Sequence, residues 1–480
     1  MKKFAQHIVK YRLIYLLIIV AVTAYFAMWT FKVQMKTEFD DLFPQKHEYI
    51  KVHNKFREIF GGANLVSIEV RVKEGTIFNT ETLKKVKRIT EDIQNVPFVH
   101  PYQIVSLSRR NVKDVKVTGW GVKTEPVMYP EVPDTPEGLK ELEQIIFHND
   151  MLYGTLVSVD AKSTLIQAVF IKDPVTGEEV DYREVFASLN KILERERDEN
   201  TIVQMSGNPA LYGWIYSFFP EMLSILALTT GVIILILLLY FRNTIGVAVP
   251  MISGILSAFW GLGLAQILGH NIDPLILVIP FLISARVISH SVQMVRRYEE
   301  EYYRLLDKKA AAIESCAELL PPGLLGVITD AMGVAVILVA PIPLLTKLGL
   351  MGSYWVLSII VSVLIFNPLL LSYLPAPKLR GERFQEAPLM TRFLRWLGDL
   401  PYRKRSRSII IAVTAIIFVL AGYASKDLKI GDTHPGSPLL WPDSKYNQAT
   451  ASINKHFPGT DQLFIIVEGS EEDIIEHPEV

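Results

Sequence analysis

The chain contains little of what several protein classes require. Its single cysteine, Cys316, excludes an internal disulfide framework and an all-cysteine metal site. The formal net charge is −1, and this near-neutral balance argues against a nucleic-acid partner. The ten histidines do not cluster with acidic residues at ligand spacing, so we expect no metal and no cofactor.

Sequence signatures of common enzymes are missing as well. There is no G-x-S-x-G, no H-E-x-x-H and no Walker A lysine loop, so neither a hydrolase site nor ATP-driven transport is indicated. We therefore expect no catalytic residues and no enzymatic activity.

What the sequence does have is long apolar runs without charge. Half of the residues are hydrophobic, and residues 13–31, 222–241 and 348–374 hold no Asp, Glu, Lys or Arg. A bilayer core of about 30 Å is crossed by roughly 20 such residues in a helix. The first run is too long for a signal peptide and no A-x-A site closes it, so we interpret it as an uncleaved anchor. Run length predicts about seven spans: 13–31, 218–241, 244–268, 274–295, 323–345, 348–374 and 408–424.

The distribution of lysine and arginine predicts the orientation of these spans. Four basic residues and no acid precede residue 13, and segment 376–407 carries nine bases against three acids. Both segments lie on the same side of a seven-span arrangement, and basic loops stay in the cytoplasm. The N-terminus is therefore expected to be cytoplasmic, with residues 32–216 and the tail after residue 425 on the far side.

Residues 32–216 are long enough to form a domain. Alternating apolar residues predict strands at 64–73, 152–158, 164–172 and 201–206, and helical spacing predicts helices at 80–96, 136–148 and 181–198. Strands interleaved with helices indicate an extracytoplasmic α/β domain. The predicted fold class is thus a polytopic α-helical membrane protein with a large α/β domain.

The chain also contains a long-range repeat. Residues 19–24 (IVAVTA) recur almost unchanged at 410–415 (IIAVTA), and Phe43-Pro44 recurs as Trp441-Pro442. Tyr49, Phe60 and Gly62 match residues about 397 positions later, and an apolar alternation follows each copy. We expect the chain to be the N-terminal half of a longer protein plus the start of its second copy. The expected domains are 1–31, 32–216, 217–375, 376–407 (a cytoplasmic basic linker), 408–424 and 425–480.

Several short motifs, together with this layout, resemble a known superfamily. Residues 60–64 (FGGAN) precede the first strand, residues 207–209 (GNP) precede the second span, and residues 297–300 (RYEE) follow the fourth. The chain resembles the resistance–nodulation–division (RND) superfamily, in the branch of the MMPL-type and hopanoid-type lipid exporters. Patched, Dispatched and the Niemann–Pick sterol proteins are relatives of this branch.

The resemblance implies a multi-pass transporter of the bacterial inner membrane, driven by the proton gradient. Its substrate would be a lipid or another hydrophobic molecule, residues 32–216 would form a porter-like domain, and spans two to six would match a sterol-sensing domain. The plan is compatible with a homo-oligomer (dimer or trimer) or with a periplasmic partner, and the substrate-binding residues are unknown.

Charged and titratable residues inside spans indicate candidate sites, because an Arg or Asp at a helix centre costs roughly 2.5–3.5 kcal/mol. Arg286 and His290 share one face of the fourth span, and Asp330 lies in the fifth at a similar expected depth. One interpretation is a proton relay in which Asp330 pairs with Arg286 and His290 exchanges protons. The other is a static Arg–Asp bridge that fixes helix packing. The serines 284, 289 and 291 and Thr329 are candidate partners in either arrangement.

The fourth span also departs from the pattern of the relatives. They usually carry an Asp-Tyr or Asp-Asp pair there, whereas this sequence has Ser289-His290 or Arg286-Val287, depending on the alignment. We expect the acidic pair in the equivalent span of the second copy. Two other functions stay open at this point: a non-transporting lipid sensor of the sterol-sensing type, and a SecD/SecF-like export accessory.

Overall fold

The computed structural model describes residues 1–33, 39–60, 64–118, 121–173, 176–272, 278–376, 388–428 and 435–459. The chain divides into two compact units. The first, here called the helical unit, comprises Met1–Lys51 and Glu221–Gly431. The second, here called the sheet unit, comprises Val52–Pro220 and Asp432–Val480.

The described residues form helices α1 (Lys2–Lys10), α2 (Arg12–Thr30), α3 (Glu48–Phe60), α4 (Thr80–Ile93), α5 (Pro136–Phe147), α6 (Tyr182–Glu196), α7 (Asn208–Ser217), α8 (Phe219–Phe241), α9 (Thr244–Ile267), α10 (Val278–Leu305), α11 (Lys308–Ala335), α12 (Pro343–Ile359), α13 (Phe366–Tyr373), α14 (Pro388–Asp399), α15 (Lys404–Ala424) and α16 (Lys445–His456). The strands are β1 (Leu65–Val72), β2 (Val99–Val105), β3 (Lys113–Thr118), β4 (Gly121–Pro126), β5 (Ser163–Phe170) and β6 (Thr201–Gly207).

Six helical segments among the described residues are long and apolar enough to cross a membrane. They are Arg12–Thr30, Asn208–Phe241, Thr244–Ile267, Lys308–Val339, Pro343–Tyr373 and Lys404–Asp427. Each overlaps one of the seven spans expected from the sequence. The remaining expected span, 274–295, falls on α10, which is not among the six. Residues 273–277 lie outside the described part of the chain, and Arg286 and His290 lower the hydropathy of α10, so the seventh span stays a prediction.

Close approach between helices organises the core of the helical unit. Helix α9 packs against α2, α10 and α12. A Cβ atom on Gly261 of α9 would lie 2.1 Å from Cδ2 of Trp355 on α12, so only glycine allows this contact. Trp355 is almost completely buried, beside Val287 of α10 and Val327 of α11 in one apolar cluster. Small residues that let helices approach are typical of membrane-helix interfaces.

The sheet unit is built on a four-stranded antiparallel sheet of order β2-β5-β1-β6. Helix α4 connects β1 to β2, and helix α6 connects β5 to β6. This β-α-β-β-α-β order is the ferredoxin-like arrangement. The side chains of Asn79 and Asp181 cap the first turns of the two helices and fix where each begins. Strands β3 and β4 form a separate hairpin inserted between β2 and β5.

The predicted elements of this unit match the structure in most places. Strands 64–73, 164–172 and 201–206 correspond to β1, β5 and β6, and the three predicted helices correspond to α4, α5 and α6. The predicted strand at 152–158 is wrong: the segment is a run of turns with isolated bridges from Val157 to Tyr153 and Thr164. Gly154 takes φ +80° there, which interrupts an extended strand. Strands β2, β3 and β4 were not predicted.

The second copy of the repeat contributes a helix to the sheet unit. Helix α16 begins at Lys445, which is 397 residues after Glu48, the first residue of α3 (445 − 48). It packs against β6, where the Thr450 and Ser206 hydroxyl oxygens lie 2.6 Å apart. The boundaries of the two units therefore differ from the domain boundaries expected from the sequence. Residues 32–51 belong to the helical unit, and α16 joins the sheet of residues 64–207. The repeated alternation after residue 460 lies outside the described residues.

A buried carboxylate holds α16 to the sheet. Glu69 of β1 is completely buried. Its Oε2 accepts hydrogen bonds from Gln204 Nε2 at 2.6 Å and from Ser452 Oγ at 2.7 Å. Its Oε1 lies 3.5 Å from His456 Nδ1 and 3.9 Å from Arg71 Nη1. Ser452 and His456 both lie on α16, so one side chain of the first copy contacts two residues of the second.

Candidate functional site in the helical unit

The candidate site lies where α10 and α11 pack against each other. Arg286 and His290 stand one turn apart on α10, and Asp330 lies on α11. Helical periodicity places residues four apart on the same face, which brings both α10 side chains toward the same neighbour.

The structure brings Arg286 and Asp330 into direct contact. Arg286 Nε donates a hydrogen bond to Asp330 Oδ2 at 2.6 Å, and Arg286 Nη2 lies 2.5 Å from the same oxygen in an ion pair. A charge-assisted hydrogen bond of this kind is shorter and stronger than one between neutral groups. Arginine keeps its proton at any physiological pH, so a proton exchanged within this pair would be exchanged at the carboxylate.

The pair lies on the surface of the helical unit. The Arg286 side chain is 48% exposed and that of Asp330 33%. Leu282 and Met332, close to the pair in sequence, are also exposed. The contact is therefore not the fully buried bridge that a purely structural role would suggest.

His290 stands beside the pair and has one nitrogen without a partner. Its Nε2 is buried and has no hydrogen-bond partner among the described residues. The ring is close enough to interact electrostatically with both Arg286 and Asp330. A buried nitrogen without a partner is uncommon in folded proteins, because leaving it unmatched costs about 1–3 kcal/mol.

The hydroxyl groups considered as partners of the pair make other bonds. Thr329 Oγ1 donates to the carbonyl oxygen of Leu325 in its own helix, at 2.8 Å. Ser291 Oγ accepts a hydrogen bond from Asn367 Nδ2 at 2.7 Å. Ser284 and Ser289 make no described contact with either charge.

Sequence reasoning missed a buried polar network beside the site. Asn367 of α13 is completely buried and donates to Ser291 of α10. Its Oδ1 accepts a hydrogen bond from Ser253 Oγ of α9 at 2.5 Å. One amide thus connects three helices, and the signal for it was an asparagine inside the charge-free run 348–374.

A second ion pair in the helical unit was also missed. Lys347 of α12 forms an ion pair with Asp41, and both side chains are largely buried. His270, in the loop after α9, is near enough to interact with both charges. Burial is the main cause that lowers the pKa of His270, and Lys347 lowers it further, while Asp41 opposes the shift. Lys347 falls between two predicted spans, where a lysine attracts little attention.

Metal chemistry has no candidate in the part of the chain that the structure describes. No group of three or more His, Cys, Asp or Glu side chains there is placed to hold an ion.

Comparison with known families decides the class of the protein. The model of the MMPL family matches residues 44–399, which include α10, α11 and most of the sheet unit. The chain belongs to the MMPL family. This confirms the resemblance drawn from the sequence, and with the six apolar helices it confirms a polytopic membrane protein that carries an α/β domain.

A relative from an archaeon aligns with most of this chain. MJ1562 of Methanocaldococcus jannaschii, described only as a membrane protein, is 20% identical over 385 residues. The alignment covers 77% of this chain and 93% of the relative. MMPL membership indicates a membrane transporter of hydrophobic substrates.

Proposed function

We propose that this MMPL protein is a secondary transporter, and not an enzyme, that exports or redistributes a lipid or another hydrophobic molecule using the proton motive force. The observation that supports it most is the Arg286–Asp330 ion pair beside the partnerless Nε2 of His290. Ionisable residues within membrane helices are expensive and mark ion pathways by default.

The exposure of the pair adds to the argument. A charged pair on a lipid-facing surface would be costly, so such residues face other protein segments or a water-filled cavity. We infer that the α10–α11 face around Asp330 lines a hydrated path or an interface with another span. The equivalent span of the second copy, expected to carry an acidic pair, is the proposed neighbour.

The three residues would have different roles. Asp330 would take up a proton and weaken its contact with Arg286, whose charge would then be without its partner. His290 Nε2 would accept the proton or pass it along the same face, since its ordinary pKa of about 6.5 allows both states near neutral pH. Because protonation would weaken the ion pair between α10 and α11, proton uptake would change how these two helices pack.

The orientation belongs to the same proposal. The basic N-terminus and the basic segment before α15 support a cytoplasmic location for the N-terminal ends of α2 and α15, and the sheet unit would then lie outside the cytoplasm. The membrane would be the cytoplasmic membrane of a bacterium. The sheet unit would receive the substrate from the outer leaflet or the periplasm. A dimer or trimer, or a periplasmic partner, fits this plan.

The test is a lipid mass-spectrometry comparison of separated membranes. The strains are a deletion, its wild-type complement, Asp330→Asn and Thr329→Val, which alters a hydroxyl bonded only within its own helix. We expect one lipid class to accumulate in the inner membrane of the deletion and of Asp330→Asn, and not with Thr329→Val.

Two other outcomes would contradict parts of the proposal. Accumulation in the deletion alone would leave a transporter but remove Asp330 from its mechanism. No change in any lipid class would contradict lipid transport and favour a sensor or a substrate of another kind. The abundance of each variant in the membrane must match that of the wild type.

A further inference from the structure

The segment between the two repeats contains a short helix with one apolar face. Helix α14 exposes Phe393, Trp396 and Leu397, with 52%, 51% and 41% of each residue accessible. Their spacing of three and four places them on one side of the helix. The Phe393 and Trp396 rings stack with centroids 6.0 Å apart, so the apolar side is continuous.

The rest of the segment is basic. Arg392 and Arg395 are also exposed on α14. Residues 388–407 hold six bases (Arg392, Arg395, Arg403, Lys404, Arg405 and Arg407) and one acid, Asp399. None of these bases forms a described ion pair, so six positive charges stand close together without compensation from the chain's described residues.

The position of residues 388–407 in the chain indicates that they lie at the membrane interface. The apolar helix Lys404–Asp427 begins at the end of this basic run, only a few residues after α14. Tyr402, between the two helices, is 88% exposed. Aromatic residues and bases at the end of an apolar span are typical of the boundary between headgroups and acyl chains. In the described residues the main packing neighbour of α14 is the short turn Leu400–Tyr402, which leaves its apolar face uncovered.

The first turn of α15 adds to the positive potential. It contains no acidic residue, its N-cap is Arg403, and no side chain caps it. The positive end of the helix dipole thus coincides with Lys404, Arg405 and Arg407, an arrangement that is unfavourable unless anions lie nearby.

We propose that residues 388–407 bind the surface of an anionic lipid leaflet. Phe393, Trp396 and Leu397 insert between headgroups and acyl chains, and the six bases contact lipid phosphates. The partner is the bilayer itself, rich in acidic phospholipid, and the interaction anchors the junction between the two repeats. This inference depends on membership of a membrane-protein family and not on lipid transport.

The depth of α14 can be measured on the full chain. Cys316 is the single cysteine, so Cys316→Ala gives a background in which one nitroxide is attached at Phe393→Cys or, as the matched control, at Asp399→Cys on the polar side. Each protein is placed in nanodiscs of phosphatidylcholine, with and without phosphatidylglycerol. Collision with oxygen and with a water-soluble nickel complex reports how deep each label lies.

The proposal predicts that the label at position 393 is accessible to oxygen and protected from nickel, and that phosphatidylglycerol increases the protection several-fold. The label at position 399 remains accessible to nickel. Arg392→Gln/Arg395→Gln, which alters exposed side chains, is expected to remove the effect of phosphatidylglycerol without lowering the amount of folded protein.

Three results would overturn the proposal. Equal nickel access at 393 and 399 would place α14 in water. Protection of residue 393 from both reagents would show that protein, for example a second copy, covers the helix. If the membrane depth of the label at position 393 changed neither with phosphatidylglycerol nor with substitution of the two arginines, an anionic lipid would not be the partner.

Discussion

The contact between Glu69 and α16 predicts how strongly the second copy is attached to the first domain. The perturbation is Ser452→Ala, which removes one of the two donors to Glu69 Oε2 and leaves the buried carboxylate in place. A hydrogen bond to a charged group contributes about 1.5–3 kcal/mol, and a buried carboxylate loses that amount when a donor is deleted. The local opening free energy of α16 should fall by this amount.

Hydrogen exchange of the backbone amides of Lys445–His456 is the assay. A loss of about 1.5–3 kcal/mol corresponds to exchange roughly 10 to 100 times faster when opening is reversible and fast. The control is Lys455→Ala, an exposed position on the same helix, for which the change should be small. The amides of α5, which lies elsewhere in the sheet unit, should be unaffected.

The reasoning would be refuted by unchanged protection of α16 in Ser452→Ala, or by an equal effect of Lys455→Ala. Unchanged protection would mean that apolar contacts alone hold α16, and an equal effect of Lys455→Ala would mean that the loss is not specific to the Glu69 contact. Glu69→Gln provides a second comparison, because it keeps the shape of the side chain and removes the charge near His456 and Arg71.

Three further predictions concern packing, the buried amide and pH. Gly261→Ala should lower the stability of the helical unit by about 1–3 kcal/mol through overpacking against Trp355, and Trp355→Leu should partly restore it in thermal unfolding of the detergent-solubilised protein. Asn367→Leu should cost about 0.6–2 kcal/mol in the same assay, the range for hydrogen bonds between membrane helices; no loss at all would contradict a cohesive network. The hydrogen bond from Lys85 is the main cause that lowers the pKa of Asp198 to about 2 in the folded protein. The ionised Asp198 carboxylate therefore stabilises the fold fully above its unfolded pKa of about 3.9, and this stabilisation is lost as the pH falls toward 2. Asp198→Asn should reduce this loss of stability at low pH, measured by hydrogen exchange near β6, and the reduction should be modest because the carboxylate is partly exposed. If the variant lost stability at low pH as the wild type does, other groups would be the cause.

Membrane spans were readable from the sequence because their signal is local. A run of some 20 apolar residues with little or no charge has few alternatives in a folded chain, and six such runs correspond to helices here. The same criterion is weakest at α10, since Arg286 and His290, the residues of interest, interrupt its apolar run. A span that carries charged residues is thus harder to identify by hydropathy than one without them.

Strands could be predicted from the sequence only where both faces of the sheet are covered. Strand β1 is buried along nearly its whole length and shows continuous apolar alternation. Strand β2 lies at the sheet edge and is mostly exposed or half-buried, and the β3–β4 hairpin consists largely of polar residues. Such strands carry little of the pattern on which prediction depends, because backbone pairing and not burial specifies them.

The polar residues of the interior also differ in how well the sequence alone identifies them. Arg286, His290 and Asp330 stand out because charge in a membrane span is costly wherever it faces. Asn367 and Glu69 do not stand out, because an amide in an apolar run and a glutamate in a strand are ordinary until the fold gives them partners. The contact of Glu69 with α16 joins residues nearly 400 positions apart, which no local pattern reveals.

The most direct test of the central claim is a variant that keeps the bridge but removes its charge. Arg286→Gln/Asp330→Asn can retain a hydrogen bond between α10 and α11, while neither side chain can exchange a proton. Lipid mass spectrometry of separated membranes, at matched protein levels, compares it with the wild type and with Asp330→Glu. A proton site predicts that the neutral pair accumulates substrate lipid as the deletion does, and that Asp330→Glu transports at least in part. Wild-type lipid distribution in the neutral pair would contradict the account and would make the contact a static bridge.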